Sequence, residues 1–438
     1  MSKAHILIGV GGGIAAYKVC SVIRHYTEAG HDVRVMPTRA ALNFVGAATF
    51  EALSGNPVTT EVFDDVDEVA HVALGRQADL VIIAPATADL MARAVAGRAD
   101  DLLTASLLTV SCPVLMVPAM HTEMWEHPAT VDNVATLRRR GVTVMTPAVG
   151  RLTGADTGAG RMPEPSEIAA LGDLLLQRSD ALPYDLSGVR MVISAGGTRE
   201  ALDPVRYLGN HSSGKQGYAL ARAASQRGAH VTLVSGATSD PGDPASVEIV
   251  DVDSAVEMQR EMSERARDAD VVIMAAAVAD FRPIAVADAK IKKGAEGPAP
   301  IHLDTNPDIL AGLVRDRADG KIAPGTVIVG FAAETGDADG GVLDHGRAKL
   351  RRKGCDLLVV NTVGGGKAFG TEDNTGWLLS ADGQETGLPF GSKTLMASRI
   401  LDEVASLVPD GRVHPGTDRG GNTLTNPVPA RDNTERNR

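Results

Sequence analysis

Two stretches of the chain repeat one order of apolar and polar positions. The first opens on the apolar run His5–Val10, turns at Gly11-Gly12-Gly13, follows a helical period to Ala29, stops at Gly30 and resumes as a strand over Val33–Met36. The second opens on Met191–Ser194, turns at Gly196-Gly197-Thr198, and after Ser212-Ser213-Gly214-Lys215 follows a helical period over Gln216–Gln226. Gly228 stops it, and His230–Val234 reads as the next strand. Strand, glycine turn, helix and strand make the opening of a doubly wound parallel sheet. The echo returns further on, where Ala78–Asp89 parallels Ala269–Asp280. Each is a short buried strand that delivers a polar loop at its C-terminal end, the end at which open α/β sheets collect ligands. The pattern predicts an α/β protein of two tandem doubly wound, Rossmann-like domains. The stretch Gln177–Ser187 separates helix from strand and sets the domains at 1–178 and 188–408. Residues 409–438 are polar, Gly/Pro/Asn-rich and aperiodic, and are expected to be disordered.

Composition narrows the partners. Lys and Arg number 43 against 55 Asp and Glu, a formal charge of −12, which disfavours nucleic acid and membrane surfaces. Anionic ligands must then be held by local donors. Apolar residues are 44% and aromatics 3%, a mixture suited to parallel strands under small-residue helices. Cys20, Cys112 and Cys355 lack metal-ligand spacing and read as reduced, buried thiols. The N-terminal residues enter a strand directly, and no apolar stretch approaches a membrane span, so a cytoplasmic enzyme is expected.

The first glycine turn leaves two chemistries open. Backbone N–H groups at a helix start can cradle a mononucleotide phosphate. Gly11-x-Gly13-x-x-Ala16 also resembles a dinucleotide fingerprint, which wants a carboxylate at the end of the second strand. That strand ends Met36-Pro37-Thr38-Arg39, so a mononucleotide fits better than NAD, while Arg39 keeps an NADP-linked oxidoreductase open. His71 lies among valines and alanines, where a histidine taken alone is more often part of a core than a base.

Gly9–Lys18, Ala84-Pro85-Ala86-Thr87-Ala88 and Pro118-Ala119-Met120-His121-Thr122-Glu123-Met124-Trp125 resemble the motifs of flavin-dependent cysteine decarboxylases, and among them the phosphopantothenoylcysteine decarboxylases. The resemblance implies a flavodoxin-like domain with FMN, its phosphate at Gly12, Gly13 and Thr38, and Ala86, Thr87 and Ser106 near the rest. It implies His71 as the catalytic base. Flavin is needed because a C-terminal cysteine carboxylate has no electron sink until its thiol carbon is oxidised. Two positions depart from the family. His121 stands where an Asn grips the substrate carboxylate. The flap Leu152–Met162 lacks the proton-donating cysteine, with Ala155 or Asp156 near its place. Asp156, His121 or water would then supply the last proton.

The run Gly196–Gly217 is not a Walker P-loop, because the Gly-x-x-x-x-Gly-Lys-Ser/Thr spacing fails before Lys215. With Ala275–Pro283, Lys290–Lys293, Asn306–Leu310 and Gly330–Thr335 it resembles the bacterial CTP-using phosphopantothenate–cysteine ligases. The resemblance implies that a carboxylate attacks CTP to give an acyl-cytidylate, from which the cysteine amine displaces CMP. Cationic groups and Mg2+ (or Mn2+) neutralise the triphosphate. The nucleotide residues it implies are Ala275, Ala276, Asp280, Lys290, Pro307, Asp308, Ile309, Leu310, Phe331, Lys349 and Lys353. It also implies Asn210 as the residue that handles the acyl intermediate, with Lys290 counted among the catalytic groups. By pattern alone, Lys349–Lys353 reads as a solvated helix face and Lys290–Lys293 as an ordinary loop charge cluster.

Together the two resemblances span residues 4 to 405 and imply neighbouring steps of coenzyme A synthesis, acting on 4′-phosphopantothenate, cysteine and CTP. They also imply trimeric decarboxylase and dimeric ligase contacts, which close into a dodecamer. An active ligase joined to a weakened or regulatory flavoprotein is the alternative that the two departures suggest.

Overall fold

The computed structural model describes residues 3–60, 70–152, 156–239, 241–292, 300–334, 340–362 and 373–409, with backbone alone at 70, 71 and 362. The expected disordered tail falls outside them from 410 onward. Strands β1 (His5–Val10), β2 (Asp32–Pro37), β3 (Leu80–Ala86), β4 (Val114–Pro118) and β5 (Thr143–Val144) form a parallel sheet ordered β2-β1-β3-β4-β5. This is the flavodoxin-type order. Every residue of β3 is buried, as a strand covered by helices on both faces must be. The hairpin β6 (Ala148–Arg151) and β7 (Thr157–Arg161) projects from this half.

The second half contributes β8 (Arg190–Ala195), β9 (Arg199–Ala201), β10 (Tyr207–Gly209), β11 (His230–Ser235), β12 (Val247–Asp251) and β13 (Val271–Met274). There follow β14 (Phe281–Pro283), β15 (Leu303–Thr305), β16 (Val327–Glu334), β17 (Leu357–Thr362), β18 (Asp373–Ser380) and β19 (Glu385–Ser392). Its main sheet is ordered β12-β11-β8-β13-β16-β17-β18-β19. It is parallel up to β17, and β18 and β19 add an antiparallel edge. Counted from β8, the parallel part follows the other doubly wound order, in which the chain reverses direction between its first and fourth strands. The ribbons β9–β10 and β14–β15 stand off this sheet at the end where its loops gather. Two doubly wound units in tandem are therefore present, as the repeated pattern predicts; the antiparallel edge was not foreseen.

Helix starts follow their caps. Thr87 accepts from Leu90 N–H at the helix Ala88–Ala96, Asp101 and Thr104 cap each other at Leu102–Leu107, and Ser254 with Glu257 forms a capping box at Ala255–Ala266. Cys355 is buried and Cys20 and Cys112 half-buried; burial pushes the Cys112 and Cys355 thiols up to about 11. No helix among the described residues is long and apolar enough to cross a membrane.

The join between the halves is packed. Ala181 and Leu182 belong to the first core and Leu186 to the second. Arg227, whose side chain is 1% exposed, donates to both Asp185 oxygens at 2.9 and 2.6 Å and to Asp402 at 2.8 Å. Ser398 Oγ donates to the Ala181 carbonyl at 2.9 Å and accepts from Arg178 at 3.1 Å. Across the halves, Thr146 N–H donates to Gln226 Oε1 and Ser246 Oγ to the Pro147 carbonyl, at 2.8 and 2.7 Å. Asp185→Ala, which strips two acceptors from a buried guanidinium, is expected to cost about 2 kcal/mol, read as a lower urea midpoint. Asp180→Ala, removing a 77% exposed partner of Arg178, is expected to stay within about 0.5 kcal/mol of the parent.

Candidate functional site

The first site forms where the sheet order reverses, between β1 and β3. Gly11 N–H donates to the Pro85 carbonyl at 3.1 Å across this point. A Cβ on Gly11 would stand 2.3 Å from that carbonyl oxygen, and one on Gly12 2.4 Å from Ala40 Cβ and 3.0 Å from its carbonyl carbon, so close approach requires glycine at both positions. Gly13 differs: the nearest atom to its Cβ would be 3.8 Å away, and it faces the cleft. The helix Ala16–Glu28 that follows has no side-chain cap and no acidic residue in its first turn. Among the described residues nothing accepts from the N–H groups of Gly12, Gly13, Ile14 or Ala15. The result is an anion cradle of naked donors at a helix start, a setting that favours an anion by about 0.5–2 kcal/mol.

The cleft is about 1170 Å³, and Gly12, Gly13, Thr38, Thr87 and His121 line it. Ala86 and Ser106 do not line it; both are buried, with Ser106 Oγ 3.7 Å from Met36 Sδ. Thr38 Oγ1 donates to the Val10 carbonyl and accepts from Ala41 N–H, each at 3.2 Å. Its single proton is thus committed to the turn, and it can serve a phosphate only by rotating that proton away. Thr87 Oγ1 accepts at its cap, which leaves its proton for the cleft.

The β6–β7 hairpin closes one side. Met120 N–H donates to the Gly160 carbonyl at 3.0 Å, and with φ +138° a Cβ on Gly160 would stand 2.2 Å from Met120 O. That contact brings the flap down on the Pro118–Trp125 segment. His121 is exposed at the start of the short helix Thr122–Trp125, with no cap bond on its ring. Asp156 is exposed at the turn end of the hairpin, just before β7, its carbonyl accepting from Leu152 N–H at 2.8 Å, and Ala155 lies outside the described residues. His71 sits in the first turn of the helix Ala70–Gln77; its side chain is outside the described residues. Two charge clusters on the cleft wall escaped the sequence reading. Glu164 pairs with Lys18 at 3.0 Å and Arg161 at 2.5 Å. Arg93 holds Asp89, Asp100 and Asp101 at 3.1, 3.1 and 2.7 Å. Burial would lift the Asp101 carboxyl, but Thr104 N–H and Arg93 outweigh it and hold it below its usual range.

The second site forms at the corresponding reversal, between β8 and β13. Ala277 N–H donates to the Gly196 carbonyl at 2.8 Å, where Gly196 has φ +79°. Asn210 Nδ2 donates to Val278 O at 3.0 Å. Asn306 ties Ala279 and Asp280 to the next helix, through Nδ2 to Ala279 O and N–H to Asp280 O, both at 2.9 Å. Asp308 then caps Ile309–Ala318 by accepting from Ala311 N–H at 3.1 Å, and it pairs with Lys353. Burial would raise the Asp308 carboxyl, but Lys353 and the cap bond hold it low, so it is anionic at neutral pH.

Asn210, Ala275, Ala276, Asp280, the Pro307–Leu310 segment and Lys353 are thus brought to one end of the sheet. Ile309 and Leu310 are buried, so only their backbone can meet a ligand. Lys349 pairs with Glu334 at 3.0 Å, and Phe331 is half-buried against the core. Lys290 is exposed on a separate loop and, among the described residues, makes no ion pair. That loop is held by Asp203, which lies inside the run Gly196–Gly217 and carried no role in the sequence analysis.

Comparison with known proteins matches residues 1–174 to the Flavoprotein family and residues 186–408 to the DNA/pantothenate metabolism flavoprotein C-terminal domain. The chain is 66% identical over 407 residues to the coenzyme A biosynthesis bifunctional protein CoaBC of Mycolicibacterium smegmatis, covering 93% of this chain and 98% of that one. It is 44% identical over 407 residues to the protein so named from Vibrio vulnificus, covering 92% and 98%. A solved C-terminal domain of a CoaBC protein aligns at 35% identity and a TM-score of 0.42, over 51% of this chain and 97% of that one.

Gly13→Val fills the cradle, its Cβ in ordinary contact 3.8 Å from Pro85 Cγ. It is expected to keep stability within about 0.5 kcal/mol while weakening FMN binding about tenfold or more, measured by titrating flavin fluorescence. Unchanged FMN affinity would remove the cradle as the phosphate site.

Proposed function

Because the chain belongs to the family of coenzyme A biosynthesis bifunctional proteins, it is an enzyme with ligase and decarboxylase activities, and we propose how its two halves divide them. Residues 188–408 join 4′-phosphopantothenate to cysteine through an acyl-cytidylate made from CTP. Residues 1–178 then decarboxylate 4′-phosphopantothenoylcysteine to 4′-phosphopantetheine with FMN. The observation that carries the division is the pair of backbone-bridged switch points, one per half, each ending in the loops that bear that half's motifs. An NADP-linked oxidoreductase finds no support in these matches, and a weakened flavoprotein half is not favoured in a chain so close to relatives called bifunctional.

In the first half, the N–H groups of Gly12 to Ala15 hold the FMN phosphate, and the open face of Gly13 lets it approach. Thr38 and Thr87 flank the cofactor, with the buried Ala86 and Ser106 near it. Bound there, FMN supplies the oxidation that gives the departing carboxylate its electron sink and returns the electrons afterwards. His71 takes up the proton lost at the oxidation step. His121 donates to the substrate carboxylate from the cleft wall, in place of the usual amide. The last proton comes from Asp156, His121 or water under the flap.

In the second half, Ala275, Ala276, Asp280 and Phe331 border the cytidine, and the Pro307–Leu310 backbone meets the nucleotide. Lys290, Lys349 and Lys353, with Mg2+ (or Mn2+), offset the triphosphate charge. Lys349 and Lys353 each hold a carboxylate in the free chain, so nucleotide binding exchanges Glu334 and Asp308 for phosphate oxygens. Asn210, oriented by Val278 O, handles the acyl-cytidylate.

The enzyme works in the cytoplasm as a dodecamer. Ile14 and Tyr17, 70% and 60% exposed beside the flavin cradle, support a three-fold contact. Val205, Phe281 and Ile284, 62%, 51% and 68% exposed on or beside the two ribbons, support a two-fold one.

With phosphopantothenate, cysteine and CTP, the full chain is expected to release pyrophosphate and CO2 in equal amounts; pyrophosphate without CO2 would confine activity to the ligase half. Lys290→Gln is expected to slow CTP-dependent ligation about 100-fold while sparing CO2 release from preformed phosphopantothenoylcysteine. Unchanged ligation would remove Lys290 from the nucleotide step.

A further inference from the structure

The Asp203 side chain has no solvent exposure, although it lies on an otherwise exposed turn, Leu202–Arg206. Its Oδ1 accepts from the N–H groups of Val205 and Arg206 at 2.8 and 2.9 Å. Its Oδ2 accepts from Arg206 Nε at 2.9 Å, from Arg206 Nη2, and from Ile291 N–H at 3.1 Å. Arg206 Nη2 in turn donates to the Ile291 carbonyl at 2.8 Å. Both backbone groups of Ile291 are therefore clamped by one ion pair, like a residue in a strand ladder. Ala287 N–H adds a third rung to the Leu202 carbonyl at 3.1 Å. Arg206 holds the Asp203 carboxyl well below the usual carboxylate range, so the clamp stays charged at any working pH.

Lys290 is the residue just before the clamp. A long flexible ammonium on an unheld loop would lose much of its freedom when it met a phosphate, and a clamped backbone lowers that cost. Beyond Arg206, the same turn becomes β10 and then Asn210. We infer that Asp203 is a positioning residue for the nucleotide step: through Ile291 it presents Lys290 to the triphosphate, and through Arg206 it joins that loop to the segment carrying Asn210. This rests on the assignment of Lys290 to CTP.

The test is a double-mutant cycle in the full chain, with Asp203→Asn, Lys290→Gln and the pair, following pyrophosphate release at varied CTP and varied cysteine. Asp203→Asn is expected to raise KM for CTP about tenfold with KM for cysteine unchanged, and to add less than about twofold in the Lys290→Gln background. Ile291→Pro, which removes the donor but leaves the Asp203–Arg206 pair intact, is expected to reproduce the CTP defect and guards against a folding failure of Asp203→Asn. Effects that multiply across the cycle, equal shifts in both KM values, or a normal KM for CTP in Ile291→Pro would overturn the inference. A Lys290→Gln enzyme with normal CTP kinetics would overturn it too, by removing the assignment it rests on.

Discussion

Both halves depend on one close backbone approach at the point where a parallel sheet reverses its strand order. In the first, Gly11 N–H reaches the Pro85 carbonyl at 3.1 Å; in the second, Ala277 N–H reaches the Gly196 carbonyl at 2.8 Å. Each contact ties the turn after the half's first strand to the end of the strand beside it across the reversal. Side chains at Gly11 or Gly196 would collide with backbone carbonyls in the way. Once the turns are pinned, the helix starts behind them and the loops of neighbouring strands have no choice but to converge on one end of the sheet.

What converges differs between the halves. The first presents unspent N–H donors, because its helix start has neither a capping side chain nor an acidic residue. Among the described residues, no internal partner of those donors has to give way to a phosphate. The second is already balanced: Asp308 caps its helix and pairs with Lys353, and Glu334 holds Lys349. On the proposed assignment, a triphosphate there would exchange these internal ion pairs for its own, so little net charge energy is gained and discrimination falls to geometry. With a formal charge of −12 over the chain, neither site can rely on long-range attraction.

Much of this could be read from the residues in order. The repeated strand, glycine and helix pattern exposed two doubly wound units, since those periods are local. What escaped was contact between distant positions. Asp203 and Ile291 lie 88 residues apart, and nothing in either neighbourhood marks the pair. The stretch Ala181–Leu186 was legible only as a boundary between helix and strand, because the residues that bury it, Arg227, Ser398 and Asp402, lie far along the chain. Adjacent glycines that look alike separated only in three dimensions: Gly12 is required by Ala40, whereas Gly13 faces open cleft. Ala86 and Ser106, expected near the cofactor, are buried and do not line the cleft.

The central claim is that the two reversal points are two separate ligand sites in one chain. An experimental structure of the full chain with FMN and CTP bound tests it most directly. The flavin phosphate should lie within hydrogen-bond distance of the N–H groups of Gly12 to Ala15, and the cytidine at Ala275–Asp280 with its phosphates between Pro307–Leu310 and Lys290. A flavin phosphate away from that cradle, or both ligands gathered in one half, would contradict it.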